Sequence, residues 1–525
     1  MKGSAWILLL PLLAPIAAAG FAALAGWRRA VAWSGVAASG AILATGVLTA
    51  VPTSDREEIC VAGILRADAL SSFMLIVIGA VGLIATWAGI DYLRQELAAG
   101  HTDARGARRY GVLVPLFLAA MVLAVLARNL GVLWAAIEAT TIITAFLVGH
   151  RRNRTALEAT WKYVMICSVG IALAYLGTVL VYFASQHAGI GERGSLDWDV
   201  LVDHADQLDP GVLRIAVALL VLGFGTKAGL VPMHSWLPDA HSQAPAPVSA
   251  LMSGVLLSVA MYALLRYRVI AVAALDPRFV RTLLLIVALA SLALAASLLL
   301  AQRDYKRLLA YSSIEHMGLI ALGVAVGSPL AVAALLLHIL GHGLGKAVLF
   351  CASGQILGTE GSTQISAVRG LLARRPVLAG TFALGLAALL GLPPFSLFAS
   401  ELALARAATT AGLGWAIAVA LVLLLVVFVA IAARGMDMLF GAGLAGTPPV
   451  SGPVSGPVSG PVLVSASVVG SVSGSASVVG SASGSGSPVA AVAPLITGLI
   501  VLALLGVFAW PLAHLLTAAS RIVGT

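Results

Sequence analysis

Apolar stretches long enough to cross a bilayer follow one another along almost the whole chain, and this leaves few folds open. A spanning helix needs about 20 predominantly apolar residues. Windows of that kind fall near residues 4–26, 31–50, 69–92, 112–127, 130–148, 160–184, 212–233, 249–270, 280–301, 309–326, 329–357, 377–410, 413–433 and 490–514. In hydrocarbon every backbone polar group must be paired within the protein, which leaves helices or closed barrels. Windows of this length fit helices, and no convincing strand interrupts them. The expected fold class is therefore an all-α polytopic membrane protein with about 14 transmembrane helices. A composition of 60% hydrophobic and 10% charged residues agrees, and it excludes an ordinary soluble globule.

The net charge of +9 would suggest nucleic acid in a soluble chain. Here most Lys and Arg sit in short loops between apolar windows, so no nucleic-acid partner is expected and the positive-inside bias explains them. Arg28 and Arg29 lie in the first loop, Arg94, Arg105, Arg108 and Arg109 in the third, and Arg151, Arg152 and Arg154 in the fifth. Arg303, Lys306 and Arg307 lie in the ninth, and Arg369, Arg374 and Arg375 in the eleventh. Even loops are poorer in base, apart from the eighth, with Arg266, Arg268, Arg278 and Arg281. The alternation predicts cytoplasmic odd loops, both termini on the outer side, and a bacterial-type inner membrane. The run from Trp6 to Ala19 resembles a signal peptide, but its apolar stretch continues to Trp27, so a retained first span is expected. Cys60, Cys167 and Cys351 form no clustered thiolate set, and no glycine-rich nucleotide fingerprint follows a strand. No cofactor and no metal are expected on this chain, so any redox chemistry belongs to partners.

Five regions result: helices 1–3 over residues 1–110, a five-helix unit over 111–271, a second over 279–438, a low-complexity linker over 446–488, and a last helix over 489–525. Gly, Ser and Pro dominate the linker, which is expected to be flexible and dispensable. WAAIEATT at 134–141 and YSSIEHMG at 311–318 echo one another, each with Ile-Glu in an apolar window. Two windows later each half has a proline-broken span, numbers 7 and 12, the pattern of transporters built from repeats.

The segment from Leu222 to Gly254, LGFGTKAGLVPMHSWLPDAHSQAPAPVSALMSG, shows the break most clearly. Helix interruptions are expected at Val231-Pro232 and at Leu237-Pro238, because proline lacks a donor and clashes with the preceding turn. Lys227 stands just before the break, with His234 inside it. An ionisable side chain at the bilayer centre costs several kcal/mol and so needs a partner, water or a function. Glu138, Lys227, Glu315, His316, His338, His342, Lys346 and Glu401 all fall inside apolar windows. His338, His342 and Lys346 are spaced i, i+4, i+8 and share one helix face. Acid and base alternate along the chain, and such a row can pass protons because each group's affinity depends on its neighbour's charge. A static Glu138–Lys227 ion pair is the bland alternative for those two residues, and zinc held by His338 and His342 is another. Glu158 and Lys162 read as a helix-surface pair. Asp239 and His241 read as closing a turn, with a proton-inlet role as the sharper alternative.

GTKAGLVPMHSWLPDAHSQAPAPVSALMSG, the mid-span Glu138, HILGHGLGKAVLF and GLPPFSLFASE together resemble the antiporter-like, proton-conducting membrane subunits of respiratory complex I and its relatives. The resemblance covers Tyr110 to Met438, and YSSIEHMG favours the hydrogenase-4 component F type. It implies two inverted five-helix repeats and a central hydrophilic axis. It further implies that Glu138 and Lys227 are a coupling pair, that Lys346 with His338 and His342 is the central group, and that Glu401 is the terminal acid. Where some relatives carry a base in span eight, this chain has Ser253 and Ser258, so waters near them or Glu315-His316 must fill that part of the relay. The expected function is a non-catalytic, proton-translocating subunit of a redox-driven complex, with a relay through Glu138, Lys227, His234, Glu315, His316, His338, His342, Lys346 and Glu401. Its expected partners are other membrane subunits, a peripheral redox arm, lipid and protons. The alternative is a subunit of a multisubunit Na+/H+ antiporter.

Overall fold

The computed structural model describes residues 5–55, 57–191, 194–441 and 488–524. It is almost entirely helical. After a short 3-10 turn come α1 (Leu10–Ala25) and α2 (Arg29–Ser54), then a two-stranded hairpin of β1 (Ile59–Val61) and β2 (Leu65–Ala67). Next are α3 (Ala69–Ala98), α4 (Ala104–Leu126), α5 (Leu130–Val148) and α6 (Arg154–His187). The short α7 (Trp198–Asp203) leads to α8 (Pro210–Lys227), α9 (Trp236–Gln243) and α10 (Ala246–Leu251). One π-helical turn then joins α10 to α11 (Leu257–Ala274). The second half holds α12 (Pro277–Leu299), α13 (Tyr305–Val326), α14 (Pro329–Glu360), the short α15 (Leu371–Arg374), α16 (Pro376–Leu389), α17 (Ser396–Thr410) and α18 (Gly414–Phe440). The chain ends with α19 (Pro488–Val507) and α20 (Trp510–Val523).

Among the described residues, 12 helices are long and apolar enough to cross a membrane, or 13 if one bent pair is a single span. The bent pair is α19 and α20, which meet at 73°, so the last apolar window is two helices. The protein is a multi-pass membrane protein. Most of the linker expected at 446–488 lies outside the described residues, and Pro488 already belongs to α19.

The two halves repeat one motif: a span that breaks and restarts. In the first, α8 stops at Lys227 and α9 starts at Trp236; in the second, α16 stops at Leu389 and α17 starts at Ser396. Val231-Pro232 and Pro393-Pro394, one in each break, are cis. The interruption expected at Leu237-Pro238 does not occur. Pro238 lies in the first turn of α9, where its backbone nitrogen has no helical acceptor to lose. The second interruption is at Ala244-Pro245, after which α10 begins.

α11, α13 and α14 form the core, with nearly every residue of their apolar windows buried. Small residues let backbones approach closely, as in other membrane bundles. On the crossing of α6 with α8, a Cβ added to Gly223 would fall 2.5 Å from the Ala174 nitrogen and 2.6 Å from the Gly170 oxygen. Those are backbone atoms that cannot swing aside. Gly223→Val should therefore destabilise the protein by about 1–3 kcal/mol, the usual effect of overpacking. Gly20→Ala, with nothing within 4 Å, should leave the thermal unfolding midpoint unchanged. Thermal unfolding of the two purified variants checks both.

Arg266 and Arg268 explain the eighth loop's excess of base. Both lie on α11, 4% and 8% exposed. Arg266 donates to Asp68 Oδ2 at 2.6 Å and Oδ1 at 2.7 Å, and Arg268 donates to the Val523 carbonyl at 2.7 Å. Neither is a free loop charge, so only Arg278 and Arg281 remain in that count.

Candidate functional site

Apart from His234, the candidate relay residues fall into two clusters, with the Ser253–Ser313 hydroxyl pair beside the second. The first surrounds Lys227, which ends α8 and is 1% exposed. A lysine at that depth must spend its protons on acceptors, because an unmet buried ammonium is very costly. Its Nζ donates to Thr141 Oγ1 at 2.7 Å and to Tyr163 Oη at 2.8 Å. Tyr163 in turn pairs with Thr144. Thr141 stands one turn after Glu138 on α5, so the two charges face the same pocket. They make no ion pair within 4.0 Å among the described residues; Thr141 and Tyr163 accept the ammonium's hydrogen bonds instead. Glu138 is half-buried, and its Oε2 is buried without a hydrogen-bond partner.

The second cluster is built by α13, α14 and α17. His338, His342 and Lys346 do share one face of α14, and all are buried. Lys346 Nζ donates to the Leu309 carbonyl at 2.7 Å and to Ser312 Oγ at 2.5 Å. His316 Nδ1 faces His338 Nε2 at 3.0 Å, and His338 Nδ1 faces Ser400 Oγ at 3.0 Å. The His342 ring centroid is 4.9 Å from that of His316, and both His342 ring nitrogens lack a partner. Glu315 Oε2 lies 3.6 Å from His316 Nε2. Glu401 is half-buried and, with Glu315, lines a cavity of about 230 Å3 against α18. The imidazole facing His338 is thus His316, from another helix, rather than its i+4 neighbour His342.

Beside the second cluster, Ser253 in the π-helical turn bonds Ser313 Oγ at 2.7 Å, and Ser313 adjoins the serine that holds Lys346. Ser258 bonds back to the Gly254 carbonyl at 3.3 Å within its own helix. No hydrogen bond among the described residues joins the Lys227 cluster to Ser253.

His234 is not brought to the row. It lies in the turn before α9, half-exposed, and its Nδ1 faces the Pro232 carbonyl at 3.2 Å. The side chain that enters the interior from this segment is His241, fully buried, stacked 4.9 Å from Phe350 and without a partner on either nitrogen. The helical restart at Trp236 explains the exchange: it turns position 241 inward and leaves 234 in the exposed turn. Asp239 joins the Glu158–Lys162 pair to the second half, with Lys162 at 3.1 Å and Arg307 at 3.2 Å. Lys306 Nζ caps the end of α9 through the Ser242 and Ala244 carbonyls, each at 3.1 Å. Thr141, Tyr163, Ser312, Ser313 and Ser400 were missed in the sequence. Thr141 stands three residues from Glu138, and Ser312 and Ser313 stand four and three from His316, a helical spacing that is the one signal for them; Tyr163 and Ser400 carry no such signal.

The model of the NADH:quinone oxidoreductase/Mrp antiporter transmembrane family matches residues 127–428, more than half of the chain. A hydrogenase-4 component F homolog from Methylacidiphilum infernorum is 38% identical over 335 residues, 64% of this chain and 70% of that protein. Hydrogenase-4 component B from Escherichia coli is 32% identical over 349 residues, 64% of this chain but only 50% of that longer protein. A chain of the membrane-bound sulfane sulfur reductase, an archaeal respiratory membrane complex, superposes with a TM-score of 0.81 over 100% of this chain and 98% of its own, at 22% identity. That likeness concerns the fold alone. The matched residues run from the start of α5 into α18 and contain both clusters, so the chain belongs to the NADH:quinone oxidoreductase/Mrp antiporter transmembrane family.

Proposed function

We propose that this protein is the proton-translocating membrane subunit of a redox-driven complex of the hydrogenase-4 or NADH:quinone oxidoreductase kind. The observation that carries the reading is the assembly of Lys227, Lys346, three histidines and the acids Glu138, Glu315 and Glu401 in the interior of an otherwise apolar bundle. Buried charges are poor devices for stability, because desolvation offsets most of the attraction. Retaining eight such groups in apolar helices points to transport.

In this mechanism each group holds a proton with an affinity set by its neighbour's charge. Protonation of Glu138 weakens its hold on the Lys227 ammonium. Lys227 then releases a proton through the Thr141 and Tyr163 hydroxyls, and water carries it across the unbonded stretch to Ser253 and Lys346. The His316–His338 pair, with one ring nitrogen of each within 4.8 Å of a Glu401 carboxylate oxygen, delivers it there. Partner subunits supply the redox energy. Moving one charge against 100 mV needs about 2.3 kcal/mol. A bacterial-type inner membrane and outward-facing termini complete the proposal, supported by the alternation of basic loops.

Glu138→Gln keeps shape and hydrogen bonding while removing the charge. It should lower redox-linked proton uptake by reconstituted vesicles at least about tenfold, which is about 1.4 kcal/mol on the barrier, with assembly intact. Unchanged uptake would refute the role given to Glu138. The family also includes Mrp antiporters, so a Na+/H+ antiporter subunit is the second reading. Iron, nickel or flavin in the purified native complex decides for the first.

A further inference from the structure

We propose that His316, His338 and Glu401 form a binding site for a divalent transition-metal ion, zinc or its analogue cobalt. The three side chains come from α13, α14 and α17, and one ring nitrogen from each histidine and a carboxylate oxygen lie within 4.8 Å of one another. A tetrahedral zinc with bonds of about 2.0–2.1 Å sets neighbouring ligand atoms about 3.3–3.4 Å apart. The facing nitrogens of His316 and His338, at 3.0 Å, are already close to that spacing. Only Glu401 has to approach, by at most about 1.5 Å on the same geometry. Glu401 also borders a cavity of about 230 Å3 shared with Glu315, so its side chain is not locked by packing on that side. The same cavity is large enough to hold water beside the Glu401 carboxylate.

The surroundings suit metal ligation as well. Ser400 donates its own proton to the Leu397 carbonyl at 2.8 Å, so it accepts from His338 Nδ1–H. That fixes the tautomer and leaves the His338 Nε2 lone pair free. When His316 ligates through Nδ1, its ring proton resides on Nε2, which faces Glu315 Oε2 at 3.6 Å. A carboxylate behind a ligating imidazole is the usual outer-shell arrangement, and Glu315 stands a few tenths of an ångström beyond hydrogen-bond reach of it. Glu401 and Glu315 offset the dication, while the ammonium of Lys346 is engaged by Leu309 and Ser312. Two imidazoles with one carboxylate favour zinc or cobalt over magnesium or calcium.

The test is metal binding by the full-length chain in its purified complex, with zinc chloride or cobalt chloride as probe. Equilibrium dialysis should show one site per chain, and X-ray absorption a shell of nitrogen and oxygen donors. His338→Ala and Glu401→Gln should each weaken binding at least tenfold. Ser400→Ala, which spares the ligands and the fold, should weaken it about 10–100-fold through the outer shell. No stoichiometric site, or binding indifferent to all three substitutions, overturns the proposal. The consequence for transport rests on the relay reading: an occupied site should block proton passage. Zinc that binds with the expected shell but leaves proton flux untouched therefore confirms the site and removes the relay, so the two failures are distinguishable.

Discussion

Replacing Lys346 by alanine is expected to abolish proton translocation, and replacing it by arginine should do no better. Lys346 is fully buried and is held by the Leu309 carbonyl and Ser312. It shares α14 with the histidines and contacts Ser312, next to the Ser253–Ser313 pair. Without it a proton must cross the gap with no titratable group, and an unsolvated charge in such an interior costs several kcal/mol. Each 1.4 kcal/mol is a tenfold loss of rate, so a fall of at least about a hundredfold is expected. Arginine decides what kind of role this is. It keeps the positive charge but does not release its proton under any biological condition. If Lys346 only balanced charge, arginine would restore much of the flux. If it passes protons, arginine fails as alanine does. Proton uptake by vesicles containing the reconstituted complex checks both.

Asp68→Ala is expected to give the largest loss of stability of any substitution considered. Asp68 caps α3 by accepting from the Ser71 backbone at 2.9 Å. It also accepts both Arg266 contacts and lies 3.3 Å from Arg66, which reaches on to Glu58 at 2.6 Å. Both guanidiniums lie over the Trp198 ring, at 4.7 and 4.6 Å. The knot ties β2, α3, α7 and α11 together. Removing the carboxylate leaves Arg266 buried beside another cation, and breaking a buried pair in this way costs about 3–5 kcal/mol. Burial alone would raise the Asp68 carboxyl, but Arg266 and Arg66 outweigh it and hold it well below the usual carboxylate range. A depressed carboxyl contributes its full stability above the unfolded value of about 4 and loses it only as pH falls further. Acid near pH 5 should therefore leave the knot intact, and thermal unfolding at pH 5 and pH 7 should differ little in this respect, while the alanine variant is weak at both.

The spans were legible because a bilayer imposes a length and forbids unpaired backbone, and both constraints act through local composition. The broken helices were legible through proline, but not the second break point, because a proline in the first turn of a helix is harmless whereas one reached at its end stops it. Pro238 and Pro245 look alike in the sequence and differ only in where Trp236 nucleates α9. Lys227, Lys346 and the α14 histidines were visible as charges where none should be. The pairing of His338 with His316 was not, since it depends on how α13 crosses α14 rather than on spacing within either helix. His234 and His241 show the same limit. Each lies beside the break, and only the turn between α8 and α9 decides which one is buried. Arg266 and Arg268 read as loop charges in the sequence because their partners, Asp68 capping α3 and the Val523 carbonyl at the end of α20, are remote along the chain.

The measurement that bears most directly on the row as a single path is proton flux in Glu138→Gln, Glu401→Gln and the double variant, one change at each end. Steps in series add their times, so the account predicts a double variant no slower than about half the rate of the slower single variant, whereas independent contributions combine multiplicatively. A double variant slowed by the product of the two single effects, or a single variant with undiminished flux, would contradict it.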